Sequence, residues 1–238
     1  MELASAIASD ISGICGDVFS VQIVPPSWIH FELTHSTLAT WLQSLAVGSS
    51  GGAGGRGQGA EGARGDGDEG TIDSQCPILR LRSVQVPNSL FAVQYAHARC
   101  CSLVLLAHRE GLIKLTEPVP NTSPAFWSVI APNPIPWLNC DGTLRLNHPD
   151  ERRLIGELIQ VVDNIECPDI SGSVKWEKVA LNLSQAFEKF WSNCRIWGEV
   201  KITSPEVAQA RLGLLMATQS VLRYVLEENL GVFAPLEL

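Results

Sequence analysis

The chain has 238 residues, 45% of them hydrophobic, enough for one good-sized domain with an appendage and too many for a fibrous, collagen-like or wholly disordered chain. Its formal charge of −8 opposes a polyanionic partner, but that charge is uneven. Residues 1–47 carry Glu2, Asp10, Asp17 and Glu32 with no Lys or Arg, residues 48–75 carry five acids against Arg56 and Arg64, and residues 76–238 are left near neutral at −1, so nucleic acid stays open as a partner there.

In chain order, residues 1–14 set Leu3, Ile7 and Ile11 at helical spacing and predict a short helix. Residues 18–24 (VFSVQIV) alternate, Pro25-Pro26 forces a turn, and residues 28–33 (WIHFEL) are again strand-like, so a hairpin is expected. Ser36 or Thr37 is placed to cap a helix with Leu38, Trp41, Leu42 and Leu45 at i, i+3, i+4 and i+7. Together these make a small α/β unit, residues 1–47, which is too small to stand alone and is expected to lean on the rest. Residues 48–70 hold 11 glycines in 23 residues and no aromatic or β-branched residue. Such a stretch cannot bury enough surface to offset its ordering entropy, and residues 48–75 read as a flexible linker.

Beyond the linker, residues 78–86 (ILRLRSVQV) alternate like a strand and Pro87 stops it. Asn88 then caps a helix reaching about residue 112, with Phe91, Tyr95, Cys101 or Ser102, and Leu105 at helical intervals. Residues 116–147 form a loop with six prolines, long for a compact bundle but apolar enough, through Phe126, Trp127, Ile130, Ile135, Trp137 and Leu138, to pack. Pro149 leads a helix over 151–165, a third helix spans 174–197, and Ser204-Pro205-Glu206 enters a fourth that runs to about 229, where Gly231 ends it. Strand-like alternation is confined to residues before 88. The fold class is therefore mainly α: a bundle of at least four amphipathic helices within residues 76–238, behind a small α/β N-terminal unit.

The common chemical signatures are missing. The seven cysteines (15, 76, 100, 101, 140, 167, 194) include no CxxC pair, the five histidines no HxxxH or HExxH pair, and neither GxxxxGK[ST] nor GxSxG occurs, so no metal site, catalytic residue or cofactor is read. Apolar stretches such as residues 100–107 fall short of the roughly 20 residues of a membrane helix, and the first residues lack the basic-then-apolar pattern of a leader. A cytoplasmic protein with no membrane partner is expected.

Two segments are specific. Residues 88–102 (NSLFAVQYAHARCCS) resemble N-P-x-[YF]-Y-V-Q-Y-A-H-A-R-I-x-S, which opens the anticodon-binding (DALR) domain of arginyl-tRNA synthetase, and the match from Val93 to Arg99 is unbroken. Residues 210–214 (ARLGL) look like the family's A-R-L-x-L, and residues 230–238 (LGVFAPLEL) like its closing L-G-[IV]-x-A-P-E-R-M. Between them Phe187, Phe190-Trp191 and Cys194-Arg195-Ile196 stand where the family has F-x-x-F-Y-x-x-C-x-V. Residues 23–34 resemble, more faintly, the P-G-[FW]-I-N-[FV]-x-L-S ending of the same enzyme's N-terminal additional domain. A synthetase holds its catalytic domain, with HIGH and KMSKS signatures, between such pieces; here a glycine-rich linker stands there, and neither HxGH nor KMSK occurs. The resemblance implies a helical domain that binds tRNA, with arginine tRNA the species the family points to, and without catalysis.

The resemblance carries Gln94, Tyr95, His97, Arg99, Trp191, Arg195, Arg211 and Leu238 forward as RNA-binding residues. On spacing alone, Tyr95 and Arg99 at i, i+4 suit a guanidinium beside an aromatic, and equally a core tyrosine with an arginine bonded to a carboxylate or helix end. His97 suits packing as well as binding, and of Phe187, Phe190 and Trp191 at least two must face inward. Arg145, Arg152 and Arg153 either reach phosphates or, for the latter two, share a solvated face with Asp150 and Glu151. Three departures bear on function: Ala92 replaces an aromatic, Glu237 an arginine and Leu238 a methionine. The resemblance implies a C-terminal tail that abuts the anticodon loop, where the Glu237 carboxylate is unfavourable beside phosphates, so the alternative is a protein-interaction or scaffold module that has lost RNA and binds a synthetase or a tRNA-modifying enzyme. A positive stripe along the first and last helices of the bundle would favour RNA; scattered or negative charge with an exposed Trp patch would favour protein.

Overall fold

The computed structural model describes residues 2–47, 88–116, 129–167 and 174–238. The glycine-rich linker, the strand expected over 78–86, and Phe126 and Trp127 of the proline-rich loop lie outside the described residues.

Helix α1 (Glu2–Cys15) precedes an antiparallel hairpin of β1 (Phe19–Val24) and β2 (Trp28–Leu33). The register pairs Phe19 with Leu33, Val21 with Phe31 and Ile23 with Ile29, which gathers six apolar side chains on one face. Helix α1 packs beside β1, yet Ile23, Phe31 and Leu33 stay partly exposed, as does Trp28 on the other face. Helix α2 (His35–Val47) begins before both expected caps, Ser36 and Thr37. Thr34 caps it: its Oγ1 accepts the Thr37 backbone N–H at 3.3 Å and donates to the Asp17 carbonyl at 3.0 Å, tying the helix start to the turn before β1.

The bundle follows. Helix α3 (Asn88–Arg109) ends at Gly111, whose φ of 70° lets the Leu112 N–H reach the Ala107 carbonyl and the Gly111 N–H reach that of His108. Two short strands, β3 (Lys114–Leu115) and β4 (Val129–Ala131), pair antiparallel, so sheet structure is not confined to residues before 88. Helix α4 spans Pro149–Glu166 and α5 spans Trp176–Asn193. The latter stops four residues short of the expected end, because Cys194 turns extended and sends Ile196 into the core. A short α6 (Glu199–Thr203) leads into α7 (Pro205–Tyr224), which closes in a π-helical turn, Val225–Asn229.

Helix α7 is the centre of the bundle rather than an amphipathic outer member. Residues 212–219 are buried without a break, and α2, α3, α4 and α5 all pack against it. A helix apolar on all sides belongs inside. Helix α2 supplies Ala39, Leu42 and Ala46 to the same core as Leu103, Leu158, Phe187 and Leu215, so the end of the N-terminal segment completes the bundle. Helix α3, expected to fall short of a membrane span, has that length and apolar character over Leu90–Arg109; half of this stretch is buried in the bundle, as befits a core helix.

The proline-rich segment packs through polar anchors as well as apolar ones. Gln43 Oε1 of α2 accepts the Ile135 N–H at 3.0 Å and the Trp137 indole N–H at 2.8 Å. That bond aims the buried Trp137 ring at α7, where Gly213 leaves room: a Cβ there would meet Trp137 atoms at 2.6 and 2.8 Å and the Ile135 Cδ1 at 3.0 Å. Gly213→Ala therefore lowers stability by about 1–3 kcal/mol in urea denaturation, since overpacking outweighs the gain of about 1 kcal/mol in helix propensity. A stabilised variant would show that the ring is not held against the helix.

Candidate nucleic-acid interface

The face that could meet RNA is built where the middle of α3, the end of α5 and the start of α4 converge. Tyr95 and Arg99 lie one turn apart on α3, both exposed. The Arg99 guanidinium sits 5.3 Å from the centroid of the Trp191 ring, close enough for cation–π attraction. Trp197 meets Trp191 edge to face at 5.7 Å and 75°. Sequence reasoning missed Trp197, because it lies beyond the helix and only the chain reversal at Cys194 folds it back onto α5. Trp191 itself is half-buried, between core and surface, while Phe187 and Phe190 are fully inside.

Further exposed arginines stand on the same elements. Arg195 follows α5, and Arg152 and Arg153 occupy the first turns of α4. The start of α4 is bound to the end of α5 through Asn193 Nδ2, which donates to Asp150 Oδ2 at 2.8 Å. Among the described residues none of Arg99, Arg152, Arg153 and Arg195 forms an ion pair. The last helix carries two arginines, Arg211, which is paired with Glu151, and the half-buried Arg223 in its last turn, with Glu227 and Glu228 exposed just past its end.

Arg211 holds the framework together. Its Nε donates to Glu151 Oε1 at 2.6 Å and its Nη1 to the Arg195 carbonyl at 2.6 Å, so the guanidinium is spent on positioning the loop that carries Arg195. Glu151, only 1% exposed, also accepts the His148 N–H at 2.7 Å, and His148 Nδ1 in turn accepts the Asp150 N–H at 3.2 Å. This reciprocal cap starts α4 with a histidine in the place usually taken by Ser or Thr. Cys194 Sγ lies 3.3 Å from the same Nδ1, a spacing that could suggest a nucleophile with its base. Burial, helped by the Glu151 carboxylate, pushes the thiol up to about 12, and Nδ1 is engaged by the cap, so the pair carries no thiolate chemistry.

Two further residues singled out from the sequence are structural in placement. His97 is wholly buried, its Nδ1 2.8 Å from the Pro235 carbonyl and its Nε2 3.0 Å from the Gln219 amide nitrogen, so its ring does not reach the surface. Gln94 spends a side-chain N–H on the Phe233 carbonyl at 2.9 Å. Leu238 is 64% exposed, and Phe233, which sequence reasoning did not single out, is 73% exposed. The geometry thus brings Arg99 and Trp197 together on the Trp191 ring, with Tyr95 one turn before Arg99 on α3 and Arg195 four residues beyond Trp191, while Gln94, His97 and Arg211 are engaged in hydrogen bonds within the fold. An arginine over an indole, flanked by an exposed phenol and unpaired guanidinium groups, can stack an unstacked base and hold neighbouring phosphates.

The model of the DALR anticodon binding domain matches residues 93–238. The arginine–tRNA ligase of Synechococcus sp. (strain JA-3-3Ab) is 32% identical over 149 residues, 62% of this chain and 22% of the relative. That of Moorella thermoacetica is 32% identical over 155 residues, 65% of this chain and 23% of the relative. The chloroplastic/mitochondrial arginine–tRNA ligase of Arabidopsis thaliana is 30% identical over 138 residues, covering 57% of this chain and 17% of the relative. The chain thus spans about a fifth of the length of the curated relatives it matches. No solved structure matches it.

Proposed function

Because the chain belongs, through residues 93–238, to the DALR anticodon binding domain family, we propose that it binds tRNA, arginine tRNA first among candidates, and does not itself attach an amino acid. The observation that carries this reading is the unpaired Arg99 held over Trp191, with Tyr95 and Trp197 alongside, within the matched region. RNA loops are recognised by aromatic and guanidinium planes on which unstacked bases lie, with phosphates neutralised around them. Arg152, Arg153 and Arg195 supply that second ingredient. The absence of HxGH and KMSK segments from the sequence supports the non-catalytic half of the proposal, since amino-acid activation needs a nucleotide site that these would build. The cytoplasm is the proposed compartment.

Filter binding at low salt tests it. Arg99→Ala weakens tRNA binding about fivefold and flattens the salt dependence by about one phosphate contact, while Trp191→Ala costs about tenfold, within the range for one stacked base. Helix content by circular dichroism stays unchanged in Arg99→Ala, whose side chain is exposed. Pure protein given arginine, ATP and tRNA forms no arginyl-tRNA. Turnover above background, or a wild-type chain that binds no tRNA at low salt, ends the reading.

A second reading, a protein-interaction module for a synthetase or a tRNA-modifying enzyme, draws on the N-terminal unit. Residues 2–33 contain four acids and no Lys or Arg, and expose Leu3, Ile14, Trp28 and Phe31. Such a surface repels RNA and suits a protein with a basic, apolar face. The two readings are compatible, the bundle binding tRNA and the unit a protein. Loss of tRNA binding with retained binding of a partner would leave the second alone.

A further inference from the structure

Helix α1 and the hairpin pack on one another, and none of residues 2–33 joins the bundle core. Helix α1 lies mainly on β1, which leaves β2 exposed at five of its six residues. Among the described residues β2 has β1 on one side and no strand on the other, so a row of backbone N–H and C=O groups faces solvent as a template for a further strand. Proteins usually blunt such an edge with Pro, Lys or a bulge. The β2 sequence (WIHFEL) has neither residue, and its pairing with β1 runs without a shift in register. On the apolar face of the hairpin Phe31 and Leu33 stay uncovered, Phe31 at 51%.

The side chains of β2 decide which strand fits. In an antiparallel pair directly opposite residues share a face, so a second β2 adds about a two-fold axis centred on one residue. Centred on Ile29, Phe31 and Glu32 run out against the turn residues Ser27 and Pro26 of the other copy. Centred on His30, Glu32 stands against Trp28, and centred on Glu32 two carboxylates meet. Centred on Phe31, the strand is its own complement: the two Phe31 rings meet, Ile29 meets Leu33 on the same apolar face, and His30 meets Glu32 on the other. We propose that two copies of this chain pair antiparallel through β2, centred on Phe31, to form a continuous four-stranded sheet in the order β1-β2-β2-β1. The contact is isologous, so each pair off the axis occurs twice. Of the acids in residues 2–33 only Glu32 lies on this strand; the charges of Glu2, Asp10 and Asp17 are screened over about 8 Å at physiological salt. The pairing rests on neither functional reading above.

Sedimentation equilibrium of the full chain at about 1–100 μM reads the association, and the wild type dimerises within that range. His30→Glu sets carboxylates against each other at two symmetric places and weakens the dimer about tenfold. Glu32→Lys, which faces the unchanged His30, weakens it less. The double variant His30→Glu with Glu32→Lys restores opposite charges and recovers the affinity to within about threefold of wild type, a rescue that only this register gives. Both positions are exposed, so the unit stays folded and circular dichroism is unchanged. Mild oxidation of Phe31→Cys joins two copies through a disulfide, since directly opposite residues hold their Cβ atoms about 5 Å apart. Ile29→Cys, which lies away from its own counterpart, links no more than wild type. A wild-type chain that stays monomeric at about 100 μM overturns the pairing. Hydrogen–deuterium exchange then separates the remaining occupants: slow β2 amides give the edge to another strand of the chain, and fast ones leave it to a partner protein. A dimer indifferent to His30→Glu, or one that the double variant fails to restore, also overturns the proposal and places the contact on a different face.

Discussion

Glu151→Ala lowers stability by about 3–5 kcal/mol, the cost typical of removing one partner from a buried ion pair. The carboxylate is 1% exposed and serves two elements at once. One oxygen closes the cap of α4 on the His148 N–H, and the other takes the Arg211 Nε hydrogen at 2.6 Å. Its loss leaves a guanidinium only 15% exposed with a single carbonyl for company, and leaves the His148 N–H without its acceptor. Glu151→Gln is milder, about 1–3 kcal/mol, since an amide oxygen still accepts one of the two bonds. Urea denaturation followed by circular dichroism reads both variants; a loss under about 1 kcal/mol in Glu151→Ala would mean that the pair is not shielded from water. A native chain is stable by only about 5–15 kcal/mol in all, so Glu151→Ala sits near the limit of folding. Because Arg211 also holds the Arg195 carbonyl, the tRNA reading proposed above expects surviving Glu151 variants to bind tRNA less well through a displaced Arg195.

The folded chain loses about 3 kcal/mol of stability as pH falls from about 6.5 to about 4 through one residue, His97. Burial is the main cause of the fall of the imidazole from 6.5 to about 4; the bond to the Pro235 carbonyl opposes the fall and the positive Arg223 adds to it. The unfolded chain takes up its proton near 6.5 while the folded chain does not, so acid favours unfolding across that window, and above it the stability is fully present. Cys101 beside the ring has its thiol raised to about 12, again by burial, and stays neutral throughout. His97→Asn carries no such proton and flattens the slope between pH 6.5 and 4.5, which urea midpoints at half-unit pH steps would resolve. An equal slope in wild type and His97→Asn would place the acid sensitivity elsewhere.

Much of the architecture was legible from periodicity. The hairpin, helices α3, α4, α5 and α7, the proline at the start of α4 and of α7, and the glycine after the final turn follow from side-chain spacing and backbone chemistry that act over a few residues, whereas the short α6 carries no such signal. The resemblance to the DALR domain rested on an unbroken run, Val93 to Arg99, and the family match covers the same residues. Spacing failed where chain reversal intervenes. Periodicity alone carries α5 through Cys194 to residue 197 and makes Trp197 one more helical position instead of the edge partner of Trp191. Strands β3 and β4 are two and three residues long, too short for alternation to register.

The sequence by itself determined the fold class, the family, and which side chains could stack or carry charge, because these follow from residue type and local order. The tertiary structure alone decided which of them are available. Arg99 and Arg211 are both arginines on bundle helices, but Arg99 stands over an indole at the surface and Arg211 faces a buried carboxylate 60 residues away in sequence. His97 and Tyr95 are two positions apart on α3, so one points into the bundle and the other out. Whether an arginine meets a carboxylate or a histidine meets a carbonyl depends on partners brought in from distant helices, and long-range packing, not local spacing, sets that.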